Sequence, residues 1–600
     1  MKRRVADIIM DILVENEVTD SFVVVGGGAM HLDNAMAKCD GIKTVFDHHE
    51  QACAMAAEAY AKASGKPALV CVTCGPGGLN TLNGVQGAYV DNVPMIVISG
   101  QIRQAISVES TGLPLRFRGV QEHEITQTVK TMTKYAVKVR KPENIRYELE
   151  KAIKIATTGR KGPVWIDVPL DIQSAIIEDS ELAGFNETLP EEACYTIKEG
   201  DIEYLKNCFA KAKRPIVLAG SGIKSAGAVD MFRDLMRTWN IPVVGGSQQA
   251  AILYEGFPRY YGLSGITGPR CGNYIIQNSD LILVIGNSLS FMQTGFEVSK
   301  FANSSKIITV DVDENESKKP DLHVDRCIVA DAKAFCSYLL DNEIRFDCDR
   351  SWISFCEEVY ERFPACEYDP QNASEEGISC YTAWNEFMKV AKEDAVVALG
   401  NSDCVAAPLQ IGTRFKDQKV IVNYNCGSMG DDIPEALGAA VALKKDVYCI
   451  TGDGSIMLNI QELQTIYHNN LPVKIIMFNN GGYGTIRETN KNFFKGTYFG
   501  CDKNSGISFP DMEKVSDAFG IPYRRCSSED ELKDAFTWLI DQPKYAFLEI
   551  MEKFDDPIVP KVMSRMLPDN SFYTPALHDM YPFVDEDTLN RFTCYCKGDK

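Results

Sequence analysis

Short, uninterrupted apolar runs recur along this chain: Phe22-Val23-Val24-Val25, Ile96-Val97-Ile98, Ile216-Val217-Leu218, Leu281-Ile282-Leu283-Val284-Ile285 and Ile475-Ile476-Met477-Phe478. Each is followed by glycines and then by a helical pattern. A strand with one wet face alternates apolar and polar residues; these runs do not, so both faces are buried. Continuous strands alternating with helices predict an α/β protein built on doubly wound parallel sheets. The rhythm breaks twice. Residues 175–200 are acidic and irregular (Glu178, Asp179, Glu181, Glu187, Glu191, Glu192), and residues 341–376 are charged and poor in strands. Three α/β domains are therefore expected, at 1–178, 195–340 and 372–555. A proline-bearing tail, 556–600 (Pro560, Pro568, Pro575, Pro582), should wrap the surface.

A length of 600 residues suits such a division, at about 150 residues per domain. The net charge of −20 argues against nucleic acid and anionic membranes as partners, since both are polyanions. Any phosphate must then be held locally, by backbone N–H groups, helix N-termini or a metal. The basic start, Met1-Lys2-Arg3-Arg4, leads into Val5, Ile8, Ile9, Ile12 and Leu13 at helical spacing, interrupted by Asp7, Asp11 and Glu15. That is an amphipathic helix and not a signal-peptide core. No apolar run approaches the roughly 18 residues of a membrane span. Twenty cysteines without a secretory signal read as reduced thiols, and the expected compartment is cytoplasmic. Cys71 and Cys74 form a CxxC that closes a strand, where a redox pair would open a helix, so they read as core. Cys594 and Cys596 are expected in an untethered tail.

The sharpest chemical signal is Ile450-Thr451-Gly452-Asp453-Gly454-Ser455, followed by Phe478-Asn479-Asn480-Gly481-Gly482-Tyr483-Gly484. A strand ending in Gly-Asp-Gly-Ser places a carboxylate and a hydroxyl at a turn whose glycines let a phosphate approach. A second strand end, 27 residues on, brings Asn480 to the same edge. Asp453 and Asn480 are hard oxygen donors suited to Mg²⁺, which keeps substrate phosphates in its shell.

With this spacing the chain resembles the thiamine diphosphate enzymes, in particular the acetolactate synthase-like branch, over nearly its whole length. The resemblance implies three domains, pyrimidine-binding, central and diphosphate-binding. It implies that Asp453, Asn480 and the Gly482 carbonyl hold Mg²⁺, while Asn401, Ser402, Gly452, Gly454 and Ser455 hold the diphosphate. Asp47-His48-His49-Glu50-Gln51-Ala52 is similar to the family's catalytic stretch. Glu50 there implies a carboxyl hydrogen-bonded to the aminopyrimidine ring, favouring the tautomer that deprotonates the thiazolium carbon. Such a donor is expected to be largely buried. Val25-Gly26-Gly27-Gly28 resembles the glycine loop, with Gly27 facing the reactive carbon. Thr73-Cys74-Gly75-Pro76-Gly77-Gly78-Leu79-Asn80 resembles a cofactor-facing turn carrying Asn80. Asn425-Cys426-Gly427-Ser428-Met429-Gly430 is similar to the segment in which Met429 props the cofactor and Gly427 clamps its pyrimidine. Gln101, His31 and His49 are candidates for orienting an acceptor.

In the central segment, Ala219-Gly220-Ser221-Gly222 resembles a dinucleotide-binding loop with Gly220 and Gly222, and Asp311 and Arg160 match positions that contact FAD in acetolactate synthases. Gly286-Asn287-Ser288-Leu289-Ser290 departs from them by lacking an arginine, so FAD, as a structural cofactor, is left open. Leu170 stands where those synthases carry a lysine. Ser564-Arg565-Met566-Leu567-Pro568-Asp569 and His578-Asp579-Met580-Tyr581-Pro582-Phe583 are foreign to them and similar to a sub-branch found with nucleotide-sugar and capsule genes. The implied reaction is decarboxylation of a 2-oxo acid, pyruvate foremost, with transfer of the acyl unit to an acceptor carbonyl, a keto-sugar nucleotide in the leading reading. Acetolactate synthesis and simple decarboxylation are the alternatives. The resemblance also implies a homodimer or homotetramer, with the two halves of each site meeting across subunits.

Overall fold

The computed structural model describes residues 2–364, 367, 376–566, 569 and 571–596, apart from 248 and 250. The expected domain start at 372, and Leu567 and Pro568 of the tail, lie outside the described residues. Three six-stranded sheets form the framework, and every strand pair within them is parallel. The first uses strands Asp20–Val23, Lys43–Phe46, Leu69–Val72, Met95–Gln101, Tyr135–Lys138 and Pro163–Pro169. The third uses Val396–Leu399, Lys419–Val422, Val447–Gly452, Val473–Asn479, Tyr523–Cys526 and Ala546–Met551. Numbered in chain order within each sheet, both run 2-1-3-4-6-5. The middle sheet, from Pro215–Ala219 to Arg326–Val329, runs 3-2-1-4-5-6.

These orders locate the sites before any side chain is considered. Ligands of open parallel sheets bind beyond the carboxyl ends of the strands, where the winding reverses. In the first sheet that point lies between Asp20–Val23 and Leu69–Val72, whose exits are Gly26–Gly28 and Thr73–Gly78. In the third it lies between Val396–Leu399 and Val447–Gly452, whose exits are Gly400–Ser402 and Asp453–Ser455. In the middle sheet it separates Gly220–Gly222 from Gly286. The glycine loop, the turn after Thr73, Gly400–Ser402, Asp453–Ser455 and Gly220–Gly222 fall at these reversals, while Glu50, Met429, Asn480 and Asp311 follow other strands of the same sheets.

The first and third units pack through helix Glu50–Ser64 on helix Asp432–Leu443. Small residues make this approach close: a Cβ on Gly438 would collide with the Ala56 carbonyl. The alanine run of the first helix is buried there and under its own sheet. Its start is capped by His49, whose Nδ1 accepts the Gln51 N–H at 3.1 Å, and its end by Gly65 at φ +79°.

The segment after 340 is not simply a linker, because helix Arg350–Arg362 buries Trp352, Cys356 and Val359 in the core of the middle unit. The tail is not untethered either. Leu577, Met580 and Phe592 enter that core, and buried Arg270, Asn273 and Asn278 of helix Arg270–Asn278 donate to the carbonyls of Met580, Leu577 and Phe592. Cys596 follows, its thiol donating to the Gln277 carbonyl.

Candidate active site

In the first unit, the glycine loop is held by the neighbouring strand exits. The Gly28 N–H donates to Thr73 Oγ1 at 2.9 Å, a Cβ on Gly26 would strike Thr73, and one on Gly100 would strike the Gly28 carbonyl. Gly27 alone faces open space, with nothing within 4 Å of a Cβ built on it. Glu50 opens its helix at the same edge, and Asn80 Nδ2 donates to its Oε2 at 2.9 Å. Glu50 is half-buried in the single chain, less enclosed than its expected role requires. Val25, Met30, Phe46 and Leu79, on the flanking segments, are exposed apolar side chains.

His31 is partly exposed, and burial together with the charges of Arg4 and Arg103 lowers its pKa. His49 serves as the helix cap. Gln101 is turned inward: it is buried, its Nε2 donates to the His123 carbonyl (2.8 Å) and Asp167 (3.1 Å), and its Oε1 accepts the Ile102 N–H. With its amide spent internally, Gln101 ties down the loop after its strand and does not face an acceptor. Burial pushes the Asp167 pKa up to about 7, against hydrogen bonds from Ser99 and Gln101 that favour its charge.

In the third unit, Gly452 pairs with Phe478, so Asp453 and Asn480 leave adjacent strands at one edge. Asp453 is buried, and its Oδ2 accepts the Gly482 N–H at 3.0 Å. Burial raises its pKa to about 7, partly offset by the N–H groups of Gly481, Gly482 and Gly454. Asn480 donates its Nδ2 to Glu552 at 2.8 Å, while its Oδ1 is buried with no partner. An unpaired buried oxygen next to a carboxylate is costly unless something electropositive completes it. The Asp453 carboxylate and Asn480 Oδ1 thus fit a small hard cation such as Mg²⁺, with Gly482 held beside them by its N–H.

The diphosphate-side residues also converge. Ser402 holds φ +60°, an unusual conformation for a residue with a Cβ, at the head of helix Asp403–Ile411. Asn401 Nδ2 donates to the Ser428 carbonyl at 2.7 Å, and Ser455 Oγ accepts the Gly430 N–H at 2.8 Å. Those two bonds pin the backbone on either side of Met429, with Gly427 at φ +59° just before it. Gly454 lies against the Tyr483 ring, whereas Gly452 has open space where a Cβ would stand.

At the middle sheet's reversal is a cavity of about 630 Å³ bordered by Arg160, Gly222, Gly286, Asp311 and Asp313, within the size range of small-molecule sites. Gly220 and Gly222 pack on Gly286 and donate to the carbonyls of Ile285 and Gly286, each at 2.8 Å. Arg160 is held by Asn92, Asp313 and Glu316. Burial lifts the Asp311 pKa to about 6. The lining therefore offers carboxylates for hydroxyls, while the Gly220 and Gly222 N–H groups and the Arg160 guanidinium are already taken by acceptors within the protein.

Three family models align with this arrangement: thiamine pyrophosphate enzyme, N-terminal TPP binding domain, over residues 3–129; central domain, over 202–339; and C-terminal TPP binding domain, over 399–550. A "Probable acetolactate synthase large subunit" of Methanococcus aeolicus is 31% identical over 576 residues, covering 90% of each chain. The chain belongs to the thiamine pyrophosphate enzymes. "Acetolactate synthase 1, chloroplastic" of Nicotiana tabacum is 28% identical over 577 residues, 94% of this chain and 84% of the relative. "Acetolactate synthase, chloroplastic" of Arabidopsis thaliana is 28% identical over 579 residues. This is thus a thiamine diphosphate-dependent enzyme of the acetolactate synthase-like type. No helix among the described residues is long and apolar enough to cross a membrane.

Membership places the glycine loop, Glu50 and Asn80 in the N-terminal TPP binding domain and the Asp453–Asn480 pair in the C-terminal one. Sequence reasoning missed the polar residues behind these positions: Thr73 under the glycine loop, Glu552 orienting Asn480, and Asn459, which donates to the Gly430 carbonyl at 2.6 Å. Thr73 opens the turn that carries Asn80, but its bond to the glycine loop is not legible there; Glu552 and Asn459 belong to no motif, and only their partners identify them.

Proposed function

We propose that the enzyme decarboxylates a 2-oxo acid, pyruvate foremost, and transfers the acyl unit to the carbonyl of a separate acceptor. Bound thiamine diphosphate supplies the carbon nucleophile and the electron sink for loss of CO₂. Glu50 hydrogen-bonds the coenzyme's pyrimidine, and Met429 and Gly427 support that ring. Asn401, Ser402, Gly452, Gly454 and Ser455 would hold the diphosphate, and Mg²⁺ on Asp453, Asn480 and the Gly482 carbonyl would neutralise its charge. The observation that carries this reading is the unpartnered Asn480 Oδ1, fixed by Glu552 on the strand end adjoining Asp453.

The protein acts as a homodimer or a homotetramer, with Glu50 of one subunit completing the diphosphate half of another. The half-exposed Glu50 and the apolar side chains around it support an edge that a second copy covers. The central cavity holds a nucleotide as a structural element, FAD being the first candidate. His31 and His49 remain on the acceptor side of the site.

A keto-sugar nucleotide is the acceptor in our leading reading, supported by Leu170 and Asn287-Ser288 in place of the acetolactate synthase residues and by the tail segment 564–583. Acetolactate synthesis, with pyruvate as its own acceptor, is favoured by the names of the relatives. CO₂ release from pyruvate, measured with and without candidate acceptors, separates these. Turnover that requires a keto-sugar nucleotide supports the first, acetolactate from pyruvate alone the second, and accumulation of acetaldehyde alone contradicts both.

A further inference from the structure

The turn that delivers Glu50 is gripped by a buried carboxylate from another domain of the same chain. Glu462 opens helix Glu462–Asn469 in the C-terminal domain and is fully buried. Its two oxygens accept the His48 backbone N–H at 3.1 and 3.2 Å, and one accepts the Thr465 hydroxyl at 2.6 Å. Thr465 Oγ1 in turn stands 3.0 Å from His48 Nδ1. Three residues before Glu462, Asn459 reaches Gln51 Oε1 at 3.4 Å while bonding the Gly430 carbonyl beside Met429. Both sides of Glu50 are thereby fastened to the segment that follows Ser455.

This is an expensive way to hold a turn. A buried carboxylate costs desolvation free energy that a neutral acceptor would not. The cost is compounded because Asp47, also buried, lies against Glu462, and burial and that charge push the Asp47 pKa well above the usual carboxylate range. The other titratable groups facing the pair are His48, Cys53 and Glu50. Costly buried charge of this kind concentrates where position has functional value.

We propose that Glu462 is the positioning residue for Glu50: by holding the His48 N–H it sets the direction in which the Glu50 carboxyl leaves its helix. The inference rests on the role given to Glu50 above, and the two can be tested separately. The readout is hydrogen–deuterium exchange at the reactive carbon of bound thiamine diphosphate, measured in the holoenzyme beside coenzyme affinity and thermal midpoint. Glu462→Ala should slow exchange about 10- to 100-fold, the scale of a misplacement near 1 Å, with coenzyme affinity little changed. Glu462→Gln, which keeps an acceptor for the His48 N–H, should recover most of the rate. In a Glu50→Gln background, Glu462→Ala should add no further slowing, since it acts through Glu50. Unchanged exchange in Glu50→Gln overturns the role of Glu50. Slowing in Glu50→Gln without slowing in Glu462→Ala, or equal slowing by Glu462→Ala in both backgrounds, overturns the positioning role alone. If Glu462→Ala does not fold, Thr465→Val takes its place and should slow exchange in the wild-type background only.

Discussion

Asn480 donates its amide to Glu552 at 2.8 Å, and the partner that Glu552 supplies to the nitrogen leaves the oxygen as the free, buried end. Glu552 is therefore expected to act on metal affinity from one bond away. Glu552→Gln, which can present either an acceptor or a donor to Asn480, should weaken Mg²⁺-dependent coenzyme binding about 10- to 100-fold, the usual scale for groups behind metal ligands. Titration of coenzyme at varied Mg²⁺ reads this directly. Affinity equal to wild type would mean that Asn480 is oriented by something else.

Glu50→Gln should slow deprotonation of the coenzyme carbon by about 10²–10⁴, the range for acid–base assistance. Helix capping should be unaffected, because His49 makes the cap. Exchange kinetics and a thermal melt together check both halves of the statement.

The glycines near the coenzyme edge should divide by what lies above them. Gly100→Ala drives a Cβ into the Gly28 carbonyl and should cost about 1–3 kcal/mol of stability. Gly27→Ala meets nothing within 4 Å and should change stability by about 0.5 kcal/mol or less, while impairing turnover through the open space it fills. Urea unfolding of both variants, with activity measured alongside, distinguishes them.

Asp167 gives a pH signature. Its folded pKa, about 7, lies above the ordinary carboxylate value of 3.8, so the folded state holds the proton more tightly. Its contribution to stability is therefore greatest below about pH 4 and declines as pH rises toward about 7. Asp167→Asn should remove that decline, gaining stability relative to wild type between about pH 5 and pH 8. A wild-type-minus-variant difference independent of pH would contradict the burial-raised pKa.

Much of this architecture is readable from apolar runs and glycines, because a strand buried on both faces leaves no polar alternation and a strand exit near phosphate needs small residues. That suffices to place Asp453, Asn480 and Glu50 on strand exits. It does not give sheet order, which depends on pairings between distant segments, and so does not show which strand exits flank a winding reversal. Gln101 illustrates a second limit: Ser-Gly-Gln at a strand end gives no sign that Asp167, 66 residues on, turns the amide inward. The tail is a third case. Arg270, Asn273 and Asn278 hold it by backbone carbonyls, which leave no trace in residue type.

The most direct test concerns where the two halves of the site meet. Mixed oligomers of Glu50→Gln and Asp453→Ala chains, each inactive alone, should regain activity, because a mixed dimer contains one pocket with an intact carboxyl from one chain and an intact metal loop from the other. Mixing that leaves the preparation as inactive as its parents, with subunit exchange verified, would mean that Glu50 and Asp453 do not serve one coenzyme across two chains.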